Sequence, residues 1–357
     1  MSQGAVNAPA ARQDEGYAGD GARVQVRGAD ADRAMRARRS YAAIDLGTNN
    51  CRLLVARPAR EGFIVVDAFS RIVRLGEGMG TSGLISAEAQ DRAVDALRQC
   101  AEKLNRRNVS VARSVATEAC RRAQNGPEFV ARVFAETGIA LDVISPAEEA
   151  RLAVLGCQSM LDANDAPAII FDIGGGSTEL VLLDRSLPGQ PEIASWVSVP
   201  WGVVSLAETE ASEHDSPAAR RAAYQRMQGR VHDHVAAFAE RADADGSRVQ
   251  LLGTSGTVTT LASLHLDLPA YDRRKVDGCV VPSEAMRLIS GRLSSQSIHE
   301  RAEHACIGHE RADLVVAGCA ILEAILDAWP APSLKVADRG IREGILRAMM
   351  ARDGHQF

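Results

Sequence analysis

Two acidic side chains flank a glycine-rich segment near the middle of the chain. Asp172 ends one apolar run and Glu179 opens the next. The segment between them contains Gly174, Gly175, Gly176, Ser177 and Thr178. Consecutive glycines in a tight turn expose backbone N–H groups that suit a phosphate oxygen. An apolar run rather than a helix follows, so the segment is not a dinucleotide-binding fingerprint. It predicts a phosphate-binding β-turn, and a hairpin without a ligand is the simpler alternative.

The two carboxylates imply a metal ion, because unscreened acids would repel a phosphate. Mg²⁺ commonly bridges phosphate oxygens and one or two protein carboxylates. We therefore predict that Asp172 and Glu179 hold Mg²⁺, with Mn²⁺ as the alternative ion. A surface acid pair is the competing interpretation.

The same pattern occurs earlier in the chain. Residues 45–54 match residues 172–181, with one aspartate and one glycine identical and the apolar positions in phase. Two strand–turn–strand units, each preceding an α/β stretch of domain size, predict a duplication. A duplicated α/β chain is expected to form two similar lobes with the two turns facing each other across a cleft.

The repeat is chemically asymmetric at one position. Where the second unit has Glu179, the first has Arg52. A guanidinium pairs well with a phosphate through two parallel hydrogen bonds. We expect one wall of the cleft to hold the metal ion and the other to bind the phosphate.

Three further features carry chemically useful residues. Glu148 and Glu149 lie in the first turn of a predicted helix, where acids usually only complement the helix dipole. Residues 253–257 form a glycine-rich strand-to-helix turn, which favours an anion or nucleotide. Arg311 precedes an apolar helix and could point at the cleft or at solvent.

The hydrophobic pattern predicts the elements that position these residues. Strands are expected at residues 42–46, 52–56, 63–69, 109–115, 141–144, 168–173, 179–183, 192–199 and 249–252. Helices are expected at residues 86–105, 118–124, 127–136, 258–264 and 312–328, and from residue 146 onwards. This alternation indicates an α/β protein.

Composition restricts the partners. The 357 residues fit two domains and a tail, and the net charge of −5 excludes a basic footprint for DNA over the whole surface. The only lysines are Lys103, Lys275 and Lys335, so no phosphate-binding loop of the G-x-x-x-x-G-K type is present. Phosphate must then be held by arginine and backbone groups.

The remaining features indicate a cytoplasmic protein. Residues 1–39 contain no Leu, Ile, Phe or Trp and are expected to form a disordered tail. Seven cysteines without C-x-x-C spacing suggest reduced thiols. No apolar run reaches the ~18 residues of a membrane span, so no membrane partner is expected.

Seven motifs occur in an order that is specific to one family. They are residues 44–49 with Arg52, 116–122 with Asn125, 146–151, 171–180, 253–257, 310–313 and 340–344. Over residues 41–353 the chain resembles the exopolyphosphatase/guanosine pentaphosphate phosphatase (Ppx/GppA) family. The resemblance implies an α/β fold of two duplicated actin-like (ribonuclease H-like) ATPase lobes with an interdomain cleft.

The resemblance also implies a domain division. The first lobe would cover residues 40–148 together with a returning C-terminal helix at 340–357, and the second lobe residues 149–339. The chain resembles the short form, which lacks the C-terminal HD-like domain of longer members. One position departs from the family pattern: the third residue of the 253–257 turn, often glycine, is Ser255.

Residue roles follow from the same resemblance. Glu149 matches the general base for the attacking water, which overrides the interpretation as a helix-dipole acid. Asp172 and Glu179 match the Mg²⁺-binding acids. The matching phosphate-binding residues are Asn49, Arg52, Gly174, Gly175, Gly176, Ser177 and Arg311. A homodimer through the second lobe is also implied.

The leading hypothesis is Mg²⁺-dependent removal of the terminal phosphate from inorganic polyphosphate. The same chemistry on guanosine pentaphosphate is a close alternative that the motifs do not exclude. A phosphotransferase acting on ADP and a non-catalytic sensor of guanosine polyphosphates are further alternatives. A base directed at water argues against the phosphotransferase, and retention of all three acids argues against the sensor.

Overall fold

The structure, a computed structural model, describes residues 39–164, 166–186, 191–210, 215–242 and 248–355. The predicted disordered tail therefore lies outside the described residues, apart from Arg39. The guanidinium of Arg39 lies 3.0 Å from a carboxylate oxygen of Asp353, close to the end of the last helix.

Eleven strands and thirteen α-helices are found among these residues. The strands are β1 (Tyr41–Leu46), β2 (Asn50–Pro58), β3 (Phe63–Ile72), β4 (Val111–Ala116), β5 (Leu141–Val143), β6 (Ala168–Ile173), β7 (Thr178–Asp184), β8 (Glu192–Val199), β9 (Gln250–Thr254), β10 (Val280–Pro282) and β11 (Ser333–Ala337). The helices are α1 (Met79–Ser82), α2 (Ala87–Arg106), α3 (Glu118–Arg122), α4 (Gly126–Thr137), α5 (Pro146–Cys157), α6 (Val203–Thr209), α7 (Pro217–Ala242), α8 (Gly256–His265), α9 (Arg273–Val276), α10 (Ser283–Ser295), α11 (Ile298–Ala302), α12 (Val315–Ala328) and α13 (Ile341–Arg352).

The first lobe is built on a five-stranded sheet in the order β3-β2-β1-β4-β5. Strand β1 pairs antiparallel with β2 and parallel with β4, and its apolar side chains are fully buried because helices cover both faces. Leu97 of α2 and Phe129 of α4 pack on one face. Leu152 of α5 and Ile345 of α13 pack on the other.

The second lobe repeats this topology in a six-stranded sheet, β8-β7-β6-β9-β11-β10. Helices α7, α8 and α12 cover one face, where Phe238 and Trp329 meet edge to face with ring centroids 5.9 Å apart. Val154 of α5 packs on the other face, against Ile170. The core of this lobe is therefore closed on both sides of the sheet.

The internal repeat is visible in the register of the strands. Asp45 lies opposite Arg52 across β1 and β2, and Asp172 lies opposite Glu179 across β6 and β7. The turns are also equivalent. The N–H of Gly47 donates to the carbonyl of Asn50 at 2.9 Å, and residues 174 and 177 form the same bond at 2.9 Å. The predicted duplication into two actin-like lobes is confirmed.

Helices α5 and α13 join the lobes on one side. A Cβ added at Gly156 of α5 would lie 2.1 Å from the carbonyl oxygen of Gly340. A Cβ added at Gly344 of α13 would lie 2.0 Å from the carbonyl oxygen of Leu152. Glycine is thus required for this close helix contact. The proposed domain boundary between residues 148 and 149 lies inside α5, which packs on both sheets.

On the opposite side, polar contacts connect the lobes directly. Arg74 donates to both carboxylate oxygens of Asp313, at 2.8 and 3.3 Å, and to the carbonyl of Glu310 at 3.1 Å. The N–H of Gly78 donates to the carboxylate of Glu208 at 2.9 Å. The lobes are therefore connected on both sides of the cleft.

Most predicted elements are confirmed to within a few residues. Ser86 caps α2 by accepting from the N–H of Ala89 at 3.2 Å, as its position suggests. One prediction is wrong: the helix expected from residue 312 begins at Val315, because residues 308–314 form turns that reach towards the first lobe. Helices α1, α6, α7, α9, α10 and α11 and strands β10 and β11 were not predicted. No helix among the described residues is long and apolar enough to span a membrane.

Candidate active site

The cleft between the lobes is lined by all the residues to which the family resemblance assigned a role. These are Asn49, Arg52, Glu149, Asp172, Gly174, Gly175, Gly176, Ser177, Glu179 and Arg311. The space that they enclose has a volume of about 130 Å³. Residues from β2, α5, β6, β7 and the turn before α12 meet here, so the duplicated fold is what brings them together.

The 174–177 turn directs its backbone donors into the cleft. Its carbonyl groups are used on the outer side: those of Gly174 and Gly175 accept from the N–H groups of Val203 and Val204 at 2.9 and 2.8 Å. Among the described residues, none accepts a backbone hydrogen bond from the N–H groups at positions 175, 176 and 177. Three adjacent unpaired donors form a site for an anion.

The two glycine turns face each other in direct contact, as the repeat predicts. A Cβ at Gly175 would lie 2.9 Å from the Cβ of Thr48 and 3.1 Å from the backbone nitrogen of Asn49. A Cβ at Gly176 would lie 2.7 Å from the hydroxyl of Thr48. Glycine is therefore required at positions 175 and 176 so that the opposite turn can approach. The sequence analysis explained these glycines only by phosphate binding.

Polar atoms in the first turn are buried without a partner. Among the described residues, none forms a hydrogen bond with Thr48 Oγ1 or Asn49 Oδ1. Buried polar atoms are nearly always hydrogen-bonded in proteins. Together with the unpaired N–H groups of the facing turn, these atoms indicate a site for a polar ligand.

Asp172 and Glu179 lie side by side on adjacent strands at the base of the cleft. Glu179 is 2% exposed, and its Oε1 accepts from the hydroxyls of Ser177 and Ser198 at 2.8 and 2.9 Å. Burial raises the pKa of Asp172 to about 6, although Arg52 acts in the opposite direction. Burial and the charge of Asp172 raise the pKa of Glu179 to about 7. Within the described part of the chain, neither carboxylate forms an ion pair with a basic side chain.

These two acids suit a hard divalent cation. They supply only oxygen atoms, and a bound cation would relieve the cost of burying two adjacent negative charges. No group of three His, Cys, Asp or Glu side chains that could hold a metal ion alone occurs among the described residues. Mg²⁺ does not need a third protein ligand, because it usually binds one or two carboxylates together with waters and substrate phosphates.

The two consecutive acids of α5 have different surroundings. Glu148 bonds to Arg113 at 2.9 Å and to Arg151 at 2.7 Å, and these guanidinium groups lower its pKa to about 2. Glu149 lines the cleft and is 7% exposed. Burial, and then the charge of Glu179, raise the pKa of Glu149 well above its usual value. Of these two acids, Glu149 is the one positioned to accept a proton in the cleft.

Arg121 is the basic partner of Glu149. Its Nη1 lies 3.3 Å from Glu149 Oε2 and also donates to the carbonyl of Ile144 at 2.7 Å, while Glu118 holds its other nitrogens. The sequence motif contained Arg121 without indicating this contact, because the two residues are 28 positions apart. The positive charge of Arg121 offsets part of the cost of burying the Glu149 carboxylate, and the contact holds that carboxylate in position.

The arginines of the cleft come from both lobes. Arg52 lies on β2 and Arg311 lies at an exposed position in the turn before α12, so Arg311 stands at the cleft mouth. Among the described residues, no acid forms an ion pair with Arg52 or Arg311. Both guanidinium groups are thus available to an anionic ligand.

The 253–257 turn closes the cleft from the second lobe. Ser255 has φ of 134° and ψ of 172°, a conformation that favours glycine. Its hydroxyl caps α8 by accepting from the N–H of Val258 at 3.4 Å. The residue thus gives α8 a capping side chain at the cost of backbone strain beside the cleft.

A divided actin-like fold whose cleft combines unpaired N–H donors, arginines and buried carboxylates defines the class of protein: an enzyme that acts on a phosphoanhydride. The chain belongs to the Ppx/GppA phosphatase family, whose sequence pattern it matches over residues 54–353. The family assignment suggested by the motifs is confirmed. Phosphatases of this family generally depend on a divalent metal ion.

Named relatives agree with this assignment. The chain is 32% identical over 324 residues to exopolyphosphatase 2 of Mycobacterium tuberculosis, covering 85% of this chain and 96% of the relative. A crystal structure of the Aquifex aeolicus family member is 27% identical, with a TM-score of 0.73 over 89% of this chain and 99% of that chain. An exopolyphosphatase from Cytophaga hutchinsonii is 25% identical, with a TM-score of 0.77 over 89% and 99% of the two chains.

Proposed function

We propose that the protein is an exopolyphosphatase that hydrolyses the terminal phosphoanhydride of inorganic polyphosphate and releases orthophosphate. The observation that carries this proposal is the position of Glu149, a buried carboxylate in the same cleft as the unpaired N–H groups of the 174–177 turn. A base beside a phosphate site can deprotonate a water molecule for attack on phosphorus.

In the proposed mechanism, the N–H groups of residues 175–177 bind the oxygens of the terminal phosphate. Arg52 and Arg311 stabilise the charge that spreads over the phosphoryl oxygens in the transition state. Glu149 orients the attacking water and takes its proton, and Arg121 keeps that carboxylate in position. A Mg²⁺ ion held by Asp172 and Glu179 would neutralise part of the phosphate charge when bound. Mn²⁺ is the alternative ion.

The other activities are less well supported by the site. A phosphotransferase must exclude water, whereas Glu149 is placed to activate it. A sensor has no use for a buried base beside two further acids. Hydrolysis of guanosine pentaphosphate would use the same residues, and polyphosphate is favoured because the Mycobacterium tuberculosis relative is an exopolyphosphatase.

The test is to measure phosphate release from polyphosphates of several lengths, guanosine pentaphosphate and ATP. Each substrate is assayed with Mg²⁺, with Mn²⁺ and with a chelator, and in the presence and absence of ADP. We expect metal-dependent release of orthophosphate from polyphosphate without ATP formation. Release from guanosine pentaphosphate alone, or ATP formation from ADP, would replace the proposal by the corresponding alternative.

Two wider proposals accompany this function. All seven cysteines are free thiols, as expected in the reducing cytoplasm, where we place the protein. We also propose a homodimer formed through the second lobe, from the family resemblance. Light scattering during size-exclusion chromatography would show a mass of two chains, and a mass of one chain would contradict it.

A further inference from the structure

A second, larger space opens from the catalytic cleft. We call it the arginine groove, because its lining includes Arg52, Arg273, Arg311, Arg339 and Arg342. Four acids, Asp45, Asp172, Glu310 and Asp338, also line it. Its volume is about 600 Å³, against about 130 Å³ for the cleft. Arg52 and Arg311 line both spaces, so a chain held at the 174–177 turn could continue into the groove past these two residues.

The arginines of the groove differ in their partners. Arg273 forms ion pairs with Asp338 at 3.2 Å and with Glu343 at 3.1 Å, and Arg339 pairs with Asp277 at 2.9 Å. The groove's Arg342, by contrast, has no ion pair or side-chain hydrogen bond to any described residue.

Arg342 is a partly buried charge without a direct partner in the groove wall. Burial and the like charge of Arg52 lower its pKa, whereas Glu343, Asp45 and Asp338 act in the opposite direction. A partly buried guanidinium without a direct partner is costly, and a bound anion would relieve that cost. Arg342 is therefore the cation in the groove with the most to gain from a phosphate.

The alternative route out of the cleft is acidic. A recess on the side of Asn49 is lined by Glu77, Glu208, Glu210, Asp215 and Asp313. Its arginines are already engaged: Arg74 by Asp313, Arg220 by Asp215 at 2.6 Å, and Arg301 by the carbonyls of Gln296 and Ala312. The lining of the recess holds two more acids than arginines, whereas the lining of the groove holds one more arginine than acids. A polyanion that leaves the cleft is therefore favoured by the groove over the recess.

We propose that the phosphates behind the terminal one lie in the arginine groove and that Arg342 binds one of them. This inference rests on the proposed exopolyphosphatase function and adds the direction of the substrate chain and a residue that determines affinity for it. Arg342 contributes to substrate binding, while the reacting phosphate is handled by the residues of the cleft.

The first test measures binding without turnover. Polyphosphate affinity is determined by calorimetry in the Glu149→Gln background, at an ionic strength of about 0.15 M, where surface charges are screened beyond ~8 Å. Arg342→Met removes the charge and keeps an apolar stem, and Arg342→Lys retains a charge. The control is Arg274→Met, which removes an exposed cation outside the groove.

We expect Arg342→Met to raise the Kd for polyphosphate by ~10–100-fold, the effect of losing a charge-assisted hydrogen bond. Arg342→Lys should recover part of that loss, and Arg274→Met should change Kd less than ~2-fold. In the active enzyme, Arg342→Met should raise KM and leave kcat within ~2-fold. An unchanged Kd in Arg342→Met would overturn the inference and leave the hydrolytic function intact.

A second measurement does not depend on the folding of an Arg342 variant. Phenylglyoxal modifies accessible guanidinium groups, and mass spectrometry locates the modified residues in the Glu149→Gln protein. Saturating polyphosphate should protect Arg342 and leave Arg274 reactive. Equal modification of Arg342 with and without polyphosphate would contradict the inference. Failure of the parent enzyme to bind or hydrolyse polyphosphate would instead reject the proposed function, and the inference with it.

Discussion

Arg121 donates a hydrogen bond to Glu149, with 3.3 Å between Nη1 and Oε2. The contact joins the motif after β4 to the helix that connects the lobes, and it keeps a buried carboxylate beside the phosphate site. Two opposing influences act on Glu149: burial with the charge of Glu179 raises its pKa, and Arg121 lowers it. The balance between them determines when Glu149 can act as a base.

Replacement of Glu149 by glutamine should remove the base and preserve the shape of the site. We expect kcat to fall by ~10²–10⁴-fold, with the Kd for polyphosphate nearly unchanged. Steady-state kinetics and calorimetry measure the two quantities. The matched control is Glu148→Gln, because Glu148 pairs with Arg113 and Arg151 outside the cleft. Equal losses in both variants would remove Glu149 from the mechanism.

Replacement of Arg121 by methionine should shift the pH dependence. Loss of the guanidinium removes the influence that lowers the pKa of Glu149, so that pKa rises further. Because the base acts in its ionised form, the acidic limb of the kcat/KM profile should move to higher pH. The profile is measured at saturating metal ion. A limb that stays in place or moves to lower pH would contradict the proposed role of Arg121.

Asp172→Asn should weaken the binding of the metal ion. Loss of a ligating carboxylate is expected to raise the Mg²⁺ concentration for half-maximal activity by at least ~10-fold, since even outer-sphere changes cost 10–100-fold. Activity is titrated with Mg²⁺ for both proteins. Asp184→Asn is the control, because Asp184 is exposed at the far end of β7. Coincident titration curves would show that Asp172 does not hold the metal ion.

Gly175→Ala should force the two turns apart. Its Cβ would lie 2.9 Å from the Cβ of Thr48, and neither atom belongs to a flexible chain end. Overpacking of this kind costs about 1–3 kcal/mol in the free energy of unfolding, and phosphatase activity should be lost with the turn geometry. Gly229→Ala, at an exposed helix position with no atom within 4 Å of the added Cβ, should stabilise by about 0.5–1 kcal/mol. A stable and fully active Gly175→Ala enzyme would contradict this account.

Asp67 should stabilise the first lobe in a pH-dependent manner. Its carboxylate accepts from Lys103 and Arg107, both at 2.8 Å, and these bonds lower its pKa to about 2. A lowered pKa adds stability above the unfolded value near ~3.9, and that stability is lost as the pH falls towards the folded value. Asp67→Asn should therefore reduce the free energy of unfolding by about 1 kcal/mol at neutral pH.

Urea denaturation at several pH values checks this prediction. The difference between Asp67→Asn and the parent should shrink between pH ~4 and pH ~2. Asp95→Asn is the control, since Asp95 pairs with Arg98 on an exposed face of α2. A difference that does not change with pH would exclude the ionised carboxylate as its cause.

Much of this architecture could be predicted from local sequence. Asp172 and Glu179 were identifiable because a glycine turn places the residues that flank it on paired strands, a relationship determined by local geometry. The repeat predicted that the turns face each other. Local sequence could not predict that Glu149, and not Glu148, points into the cleft. The two neighbours are the same residue type, and only packing between the lobes decides which acid turns inward.

Residues that act through distant contacts were also missed. Arg342 was given no role from the sequence. It lies on α13, which meets α5 only after the C-terminal segment returns to the first lobe, and helical periodicity does not reveal that contact. The long helix α7 was not recognised, although it covers the second sheet. Its buried side chains Tyr224, Met227, Val231, Val235 and Phe238 recur every three or four residues, so helical periodicity was sufficient to predict it.

At positions 52 and 179 the duplicated hairpins carry opposite charges, an arginine in the first and a glutamate in the second. The two walls of the cleft are therefore chemically different, although the two ends of a linear polyphosphate are identical. The direction in which a bound chain leaves the site is thus determined by the protein and not by the substrate.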